Sequence, residues 1–540
     1  MLNDNTKCVL GMGTYAKVFA SRKNPKECKK VTCRKSREGI PRSFIMEAAI
    51  LRLLKDADHV VRCGKISIGN KCCLYLERYE NDLHSLGCVS EIQAKNIIFK
   101  LLIALHNIHE KGIIHGDVAP KNVLIKNSVD VALCDWGLSQ IVQCNDKSLT
   151  SYVQSLWWKS PEALLGDDHY TDKIDIWSCG LIMLHLLQKI DYLKGNSDEE
   201  QLILIFKTFG TPDEGSWSNI SKLPNWTKVP RHTEQTFNTF VPVNTLVPGG
   251  TSDEYINLLS KMLKLCPNDR ISAREALMDP YFSEFPKPKL EPDMNDYLQN
   301  RQVDRSCPKF VLGCCTEILI ELILSINMKL QNNFENYFLS ILLLELFCKK
   351  SDNFPHDLKL YGVASLLLSC ELNDEFPIES TDLVYSTDMI EEAEIRLYND
   401  NVYTTDMIEE AEIRIFKTLD YDIIFPTEYT CLCTLCIKFG DHLIKMKAAI
   451  LLAIGTLSSN LRIYTSFDLA FSALVVVLSA HSETCGLYIE QIKSRYAEKL
   501  RDEKILFIME HLNDLSIKSY DNEKYPILYA ARESATKLAK

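Results

Sequence analysis

The hydrophobic pattern changes character along the chain. Up to about residue 82, short apolar runs alternate with lysine-rich turns, which predicts short strands, with one helix over Arg42–Lys55. From Val89 to Phe285 helical periodicity dominates, interrupted by a loop-rich stretch near residues 113–160. A small sheet-rich lobe (about residues 1–82) followed by a larger helical one (about 83–286) predicts an α+β bilobal unit over residues 1–286. Phe285-Pro-Lys-Pro-Lys-Leu-Glu-Pro292 is proline-rich and charged, and polar residues continue beyond it, so residues 287–308 read as a semi-extended linker. Beyond Lys309 nearly everything scans as amphipathic or buried helix to about Ser519, and residues 521–540 read as a tail.

One internal repeat interrupts the second half. Thr387-Asp-Met-Ile-Glu-Glu-Ala-Glu-Ile-Arg396 recurs as Thr405–Arg414. The offset between the copies is about five helical turns, so a copy extends a helix without rotating its faces. A single tandem copy is not a solenoid, and the repeat reads as a local duplication with no function of its own.

Composition narrows the classes. At 540 residues the chain is too long for one core, and 46% hydrophobic with 25% charged residues is ordinary globular protein. Residues 1–300 carry 37 Lys+Arg against 36 Asp+Glu, whereas residues 301–540 carry 24 against 36. A neutral front joined to an acidic rear argues against nucleic acid as a partner and for two units of different kind. The first hundred residues run the other way, 19 basic against 10 acidic, and would draw an anionic ligand. No stretch reaches the roughly 18 apolar residues of a membrane span, the longest runs being Leu339–Leu344 and the interrupted Ala470–Ala480. No basic segment precedes an apolar one at the N-terminus, so no signal peptide and no membrane partner is expected. The 20 cysteines are scattered without zinc spacing, Cys431-Leu-Cys433 and Cys72-Cys73 included, and read as reduced thiols of a cytoplasmic or nuclear protein.

The candidate chemistry lies in the first half, in a fixed order. Gly11-Met-Gly13-Thr14-Tyr15-Ala16-Lys-Val18 is a glycine loop, by itself weak evidence for a nucleotide. Lys29, counted forward from Gly11, falls on the next predicted strand, and Glu47 sits on the Arg42–Lys55 helix, where its carboxylate can hold that lysine beside a phosphate. His115-Gly116-Asp117-Val-Ala119-Pro-Lys121-Asn122 falls in a loop, and Asp135-Trp-Gly137 follows an apolar strand. Ser160-Pro-Glu162 and Asp175-Ile-Trp177 complete the series. Each element suits phosphoryl transfer: glycine N–H groups approach phosphates, Lys29 neutralises them, Asn122 and Asp135 offer hard oxygens to Mg²⁺, and Asp117 accepts a hydroxyl proton.

That ordered set resembles the protein kinases. Gly39-Ile-Pro-Arg-Ser-Phe-Ile-Met-Glu47 resembles the helix that cyclin-dependent kinases present to a cyclin, and Ile205–Glu214 and Asp269–Phe282 look like signatures of that family's large lobe. The resemblance covers residues 5–286 and implies a bilobal Ser/Thr kinase using ATP and Mg²⁺. It implies that Leu10, Gly11, Gly13, Ala16, Val18, Lys29, Glu77, Tyr79, Asn122 and Asp135 surround the nucleotide and metal. It also implies that Arg270 braces Glu162, that Thr14 and Tyr15 are inhibitory phosphorylation positions, and that Thr150 is the activating one.

The second half resembles a cyclin. Leu360–Ser369 with Phe376-Pro-Ile looks like the third helix of a cyclin box and its exit. Asp382–Asp388, Ile415–Ile423 and Pro426-Thr427 continue the pattern. The resemblance implies an all-α fold of two five-helix boxes, the first over residues 309–425 with the tandem duplication inside it, the second over 426–520.

Departures from both patterns are specific. Gly116 stands where kinases have an arginine, and Ala119 where cyclin-dependent kinases have a lysine; Lys121, where tyrosine kinases commonly place a basic residue, can reach the same phosphate. Ser155, where the family has threonine, still favours Ser/Thr acceptors. The segment from Asp135 to Glu162 has the family's length, yet the three arginines that clasp the phosphothreonine are replaced by Met46, Gly116 and Gln140. A phosphate at Thr150 therefore gains little ordering energy. In the cyclin-like half Glu412 matches a glutamate that grips the kinase, but its lysine partner is replaced by Cys370 or Glu371. The segment Val311–Cys315 lacks the arginine of a substrate-docking patch.

The expected function is a cyclin-dependent-type kinase that transfers the ATP γ-phosphoryl group to Ser/Thr, often before Pro, of protein substrates, activated in cis by its own cyclin-like half. The rival reading is a pseudokinase–cyclin scaffold that binds other kinases or cyclins. Gly116 and Ala119 favour the scaffold; the retained lysine, Glu47, Asp117, Asn122 and Asp135 favour the enzyme.

Overall fold

The computed structural model describes residues 9–286 except 13–15, 22–23, 34–38, 128, 143–148, 150–152 and 229–242. In the second half it describes 319–320, 322–327, 330, 333–351, 357–373, 403–436, 442–458, 460–461, 464–480, 490, 494, 496–497, 499–520 and 532. The chain divides into two units: residues 1–33, 46–142 and 147–294 form the first, and residues 34–45, 143–146 and 295–540 the second.

The front of the first unit is a five-stranded antiparallel sheet of order β1-β2-β3-β5-β4, from β1 (Val9–Met12), β2 (Ala16–Ala20), β3 (Glu27–Cys33), β4 (Cys63–Ile68) and β5 (Lys71–Glu77). β3 is central: it pairs with β2 from Ala16↔Thr32 to Ala20↔Cys28 and with β5 from Glu27↔Glu77 to Cys33↔Lys71. Helix α1 (Arg42–Leu53) follows Gly39 and Pro41 and buries Phe44, Ile45, Met46, Ala48, Ala49, Ile50 and Leu51. Burial on nearly every side is what a helix apolar all round requires.

The larger part of this unit is helical. Helix α2 (Glu91–His109) starts at a capping box in which the Ser90 side chain accepts from the Gln93 N–H and Gln93 reaches back, satisfying two otherwise orphan donors. It packs on α4 (Lys173–Gln188), which follows the short α3 (Pro161–Leu164), and on α7 (Ala273–Leu277), which follows α5 (Asp198–Phe209) and α6 (Asp253–Met262). Two small sheets frame the loops between α2 and α3: β6 (Asn81–Asp82) pairs with β8 (Val123–Lys126) beside β9 (Asp130–Leu133), and β7 (Ile113–Ile114) pairs with β10 (Gln140–Ile141). The stretch expected to be loop-rich thus carries short strands whose loops hold the chemical residues.

The second unit is helical, with no strand among the described residues of 295–540. Its elements are α8 (Phe334–Lys350), α9 (Leu358–Asn373), α10 (Thr405–Thr418), α11 (Glu428–Cys436), α12 (His442–Gly455), α13 (Ser466–Ala480) and α14 (Glu503–Lys518). α9 lies between α8 and α10, while α13 packs on α11, α12 and α14. Polar ties join the two groups: the hydroxyls of Thr427 and Thr430 donate to Glu335 at the start of α8 at 2.8 and 2.9 Å, and Tyr337 hydrogen-bonds Thr456 at 2.7 Å. The second copy of the repeat supplies most of α10, capped by Thr404, whose side chain accepts from the Met407 N–H. The first copy, the linker 287–308 and Val311–Cys315 lie outside the described residues. Every described cysteine is a free thiol. Among the described residues no helix is long and apolar enough to cross a membrane.

Candidate active site

Two adjacent lysines sit on β3, and strand alternation separates them because successive side chains point to opposite faces. Lys30 stands opposite Val18 on β2 and Leu74 on β5, and its Nζ lies 2.8 Å from the Glu47 carboxylate and 2.8 Å from Asp135 Oδ1. Lys29 points the other way, with its Nζ 5.3 Å from the centre of the Tyr75 ring. The expectation that Lys29 is the phosphate lysine is therefore corrected to Lys30. The count from Gly11 crosses a turn of variable length, and a slip of one residue on a strand exchanges the faces. The signal for Lys30 was parity with Val18 of the glycine loop, which becomes readable only once the register is known.

Burial alone would push the Lys30 ammonium down, but Glu47 and Asp135 outweigh it and hold it above the ordinary lysine range. Burial pushes the Glu47 carboxyl up against the pull of Lys30. Burial also works on Asp135, but there the Lys30 charge and hydrogen bond, with His115 and Lys121, win and keep it below the usual carboxylate range. Asp135 is held at φ +69, and its side chain is still 48% exposed beside Lys30.

The catalytic loop is organised from below by Asp175 of α4, which is fully buried. Its carboxylate accepts from the backbone N–H of His115 at 2.8 Å, from that of Gly116 at 3.0 Å, and from the His109 ring at 3.0 Å. His115 Nδ1 accepts from the Asp117 N–H at 3.2 Å and its Nε2 donates to the Cys134 carbonyl at 3.1 Å, which fixes one neutral tautomer. Burial holds this ring below the ordinary histidine value.

Asp117 is the centre of the loop. Its Oδ1 accepts from the Ser155 hydroxyl at 2.7 Å and the Ser155 N–H at 2.9 Å. Its Oδ2 accepts from Asn122 Nδ2 at 2.7 Å and lies 3.5 Å from Lys121 Nζ. Asn122 Nδ2 also donates to the Asp117 carbonyl at 2.8 Å, so the amide nitrogen is used up and Oδ1 is the face left for a cation. Sequence reasoning placed Ser155 at the substrate and missed that it orients Asp117; a hydroxyl residue two before Trp157 was the available signal.

Other expected residues fall as follows. Leu10 and Gly11 lie on β1, Gly11 opposite Val18, and a Cβ at Gly11 would meet nothing within 4 Å, so the strand leaves room beside it. Ala16 stands opposite Thr32 at the start of β2. Glu77 ends β5 with its carboxylate 2.5 Å from Lys126 Nζ, and the same ammonium lies 4.2 Å from the centre of the Tyr79 ring. Gly13, Thr14, Tyr15 and Thr150 lie outside the described residues. Arg270 grips Glu162 through two parallel bonds of 2.6 and 2.9 Å, both side chains wholly buried. Met46 and Gln140 are buried, and a Cβ on Gly116, at φ +72, would stand 2.8 Å from the Leu138 carbonyl.

Comparison with known proteins shows the family. The family model for the protein kinase domain matches residues 5–282, and that for the cyclin N-terminal domain matches residues 294–424. Cyclin-dependent kinase B2-1 of Arabidopsis thaliana is 32% identical over 297 residues, 52% of this chain and 93% of that protein. The cell division control protein 2 homolog D of Antirrhinum majus is 31% identical over 300 residues, 52% and 94% of the two chains. A solved structure of the CAK complex from Chaetomium thermophilum bound to ATP-gamma-S is similar at TM-score 0.47 and 30% identity, over 52% of this chain and 92% of that one. The chain belongs to the protein kinases, as a serine/threonine kinase of the cyclin-dependent type, and carries a cyclin N-terminal domain behind its kinase domain.

Proposed function

We propose that this chain transfers the γ-phosphoryl group of ATP to Ser/Thr hydroxyls of proteins, chiefly those followed by proline, and that its own cyclin-like half activates it in cis. The observation that carries the catalytic reading is the setting of Asp117. Ser155 and Asn122 hold the carboxylate from both sides, and Oδ2 stands beside Lys121 to take the acceptor's proton. As the acceptor oxygen bonds to the γ-phosphorus, the bond to the β–γ bridging oxygen breaks, ADP leaves and the hydroxyl proton passes to Asp117. Lys30, locked by Glu47, offers its ammonium to the nucleotide phosphates.

The residues present fit a divalent cation. Asn122 Oδ1 and the carboxylate of an ionised Asp135 are hard donors on neighbouring loops, and Mg²⁺ bound there would neutralise charge on the phosphate oxygens. A scaffold has no need of both these oxygens and an oriented base, which is why the enzyme is favoured over the pseudokinase. With radiolabelled ATP and a generic basic protein substrate, Asp117→Asn loses about two to four powers of ten in turnover, the contribution of a positioned base. Equal incorporation by wild type and variant refutes catalysis by this site.

Cis activation is supported by the make-up of the second unit, which takes in residues 34–45, the approach to and first turn of α1. Within it Gly39, at φ +66, is the position where a Cβ would stand 3.4 Å from Glu412 Oε2. Tethering gives an effective concentration up to about millimolar, so a weakened grip still stays closed. Specific activity of the full chain is then independent of its concentration; a steep rise on concentrating the enzyme refutes cis pairing.

A further inference from the structure

The three positions where the family places phosphate-clasping arginines hold Met46, Gly116 and Gln140, and the C-terminal part of the stretch between Asp135 and Glu162 is held by a dense internal network. Gln154 is the hub. Its backbone sits at φ +61, a region that a side chain other than glycine rarely occupies, and its N–H donates to the Gly116 carbonyl at 2.6 Å. Its side chain is buried and spends its hydrogen-bonding capacity on the surrounding protein. Nε2 donates to Ser178 Oγ at 2.7 Å, to the Ile174 carbonyl at 2.9 Å and, more weakly, to the Trp158 carbonyl at 3.4 Å. Oε1 accepts from the Ser160 N–H at 3.0 Å. The Ser178 hydroxyl then donates to the Trp158 carbonyl at 2.8 Å, closing a ring between this segment and α4.

Two apolar anchors flank the hub. Leu149 and Val153 are buried with Ile114, Ala163, Tyr170 and Ile174. The kink at Gln154 delivers the next residue, Ser155, to Asp117 with both its N–H and its hydroxyl. A backbone conformation of this kind persists only where the surroundings over-determine it, and at functional sites that constraint is part of the mechanism.

We infer that Gln154 is a positioning residue for the protein substrate: its amide locks residues 153–160 onto α4, in the place of a phosphate held by arginines, so that the shelf beside Asp117 is formed without modification of Thr150. The inference rests on the kinase reading and adds to it the group that shapes the acceptor side of the site. An amide suits the task because it offers two donors and an acceptor, here to Ser178 Oγ, the Ile174 and Trp158 carbonyls and the Ser160 N–H, and it carries no charge to desolvate.

The test uses the full chain, with wild type assayed first for peptide phosphorylation, so that failure of the kinase reading shows separately. Gln154→Met keeps the volume and removes every side-chain hydrogen bond; the KM for a Ser/Thr peptide rises at least tenfold while the KM for ATP stays within twofold. Gln154→Glu shows the same deficit at mildly alkaline pH and regains part of the peptide affinity, relative to wild type, on mild acidification, because a protonated carboxyl recovers one donor. Ser178→Ala, which removes a single partner, gives a smaller loss of the same kind and stands in if Gln154→Met fails to fold. An unchanged peptide KM in Gln154→Met, a parallel rise of both KM values with a fallen melting temperature, or an unaffected peptide KM in Ser178→Ala from an otherwise unfolded series each overturn the proposal.

Discussion

Replacing Lys30 with methionine separates the two lysines of β3 and tests the site at its electrostatic centre. Lys30 Nζ contacts two carboxylates at 2.8 Å each, and its side chain is only 13% exposed. At an effective dielectric near 20, each contact is worth about 6 kcal/mol of gross attraction, most of which offsets the loss of hydration. What the substitution exposes is the remainder, the roughly 3–5 kcal/mol that accompanies removal of one partner from a buried pair. Glu47 is already pushed up by burial with Lys30 opposing the shift. Without that ammonium the largest opposition to the upward push of burial on its carboxyl is gone, and the ionic hold on α1 disappears. If the loss falls on the transition state, about 1.4 kcal/mol per power of ten makes kcat/KM drop by about two to four powers of ten. Lys29→Met removes only a side chain lying over Tyr75 on the opposite face and keeps activity within about threefold, the size of an exposed cation–π contact of about 0.5–1 kcal/mol. The assay is transfer from radiolabelled ATP by both full-length variants at matched concentration. Loss in Lys29→Met as deep as in Lys30→Met refutes the assignment, and so does a fully active Lys30→Met.

Three further outcomes follow from other parts of the site. Thr150→Ala keeps most of the wild-type rate, because Met46, Gly116 and Gln140 offer a phosphate no cation; a tenfold loss measured with an unchanged melting curve contradicts this. Arg270→Ala leaves Glu162 buried and unpaired, costs about 3–5 kcal/mol and lowers Tm of the kinase unit by roughly 5–9 °C in calorimetry, and an unaltered transition contradicts it. His115 refuses a proton that the unfolded chain accepts, so its contribution to stability is intact above the ordinary histidine value and falls away as pH drops below it; urea midpoints across that range show a slope that His115→Asn flattens, and identical slopes contradict the assignment.

Much of the site was legible in the letters because its chemistry restricts residue type. A buried arginine–glutamate clasp has few substitutes, and Arg270 and Glu162 form the one their order implies, while the carboxylate and amide expected side by side, Asp117 and Asn122, are hydrogen-bonded to each other. Legibility failed where geometry, not type, decides. Lys29 and Lys30 are the same residue, and only the pairing of β3 with β2 tells which faces Glu47. Gln154 gave no signal, since a glutamine in a loop has no characteristic chemistry until its neighbours are in place. The helices of the second unit were readable as a class, because Leu-rich runs such as Leu339–Leu344 leave little choice, whereas the polar ties from Glu335 to Thr427 and Thr430 join residues far apart in the chain.

The repeat also sets where α10 begins. Helix α10 draws its cap from Thr404, its core from Ile408 and Ala411, and its bond to the Tyr361 hydroxyl from Arg414. Val384–Arg396 spells the same string as Val402–Arg414, with Ser386 for Thr404 as the single change, and both residues are competent caps. All of these contacts come from the second copy, so substitutions there act directly on the cap, the core and the Tyr361 bond of α10. The extended Thr404 cap starts α10 afresh at the second copy, so the spacing of the repeat does not run one continuous helix into it.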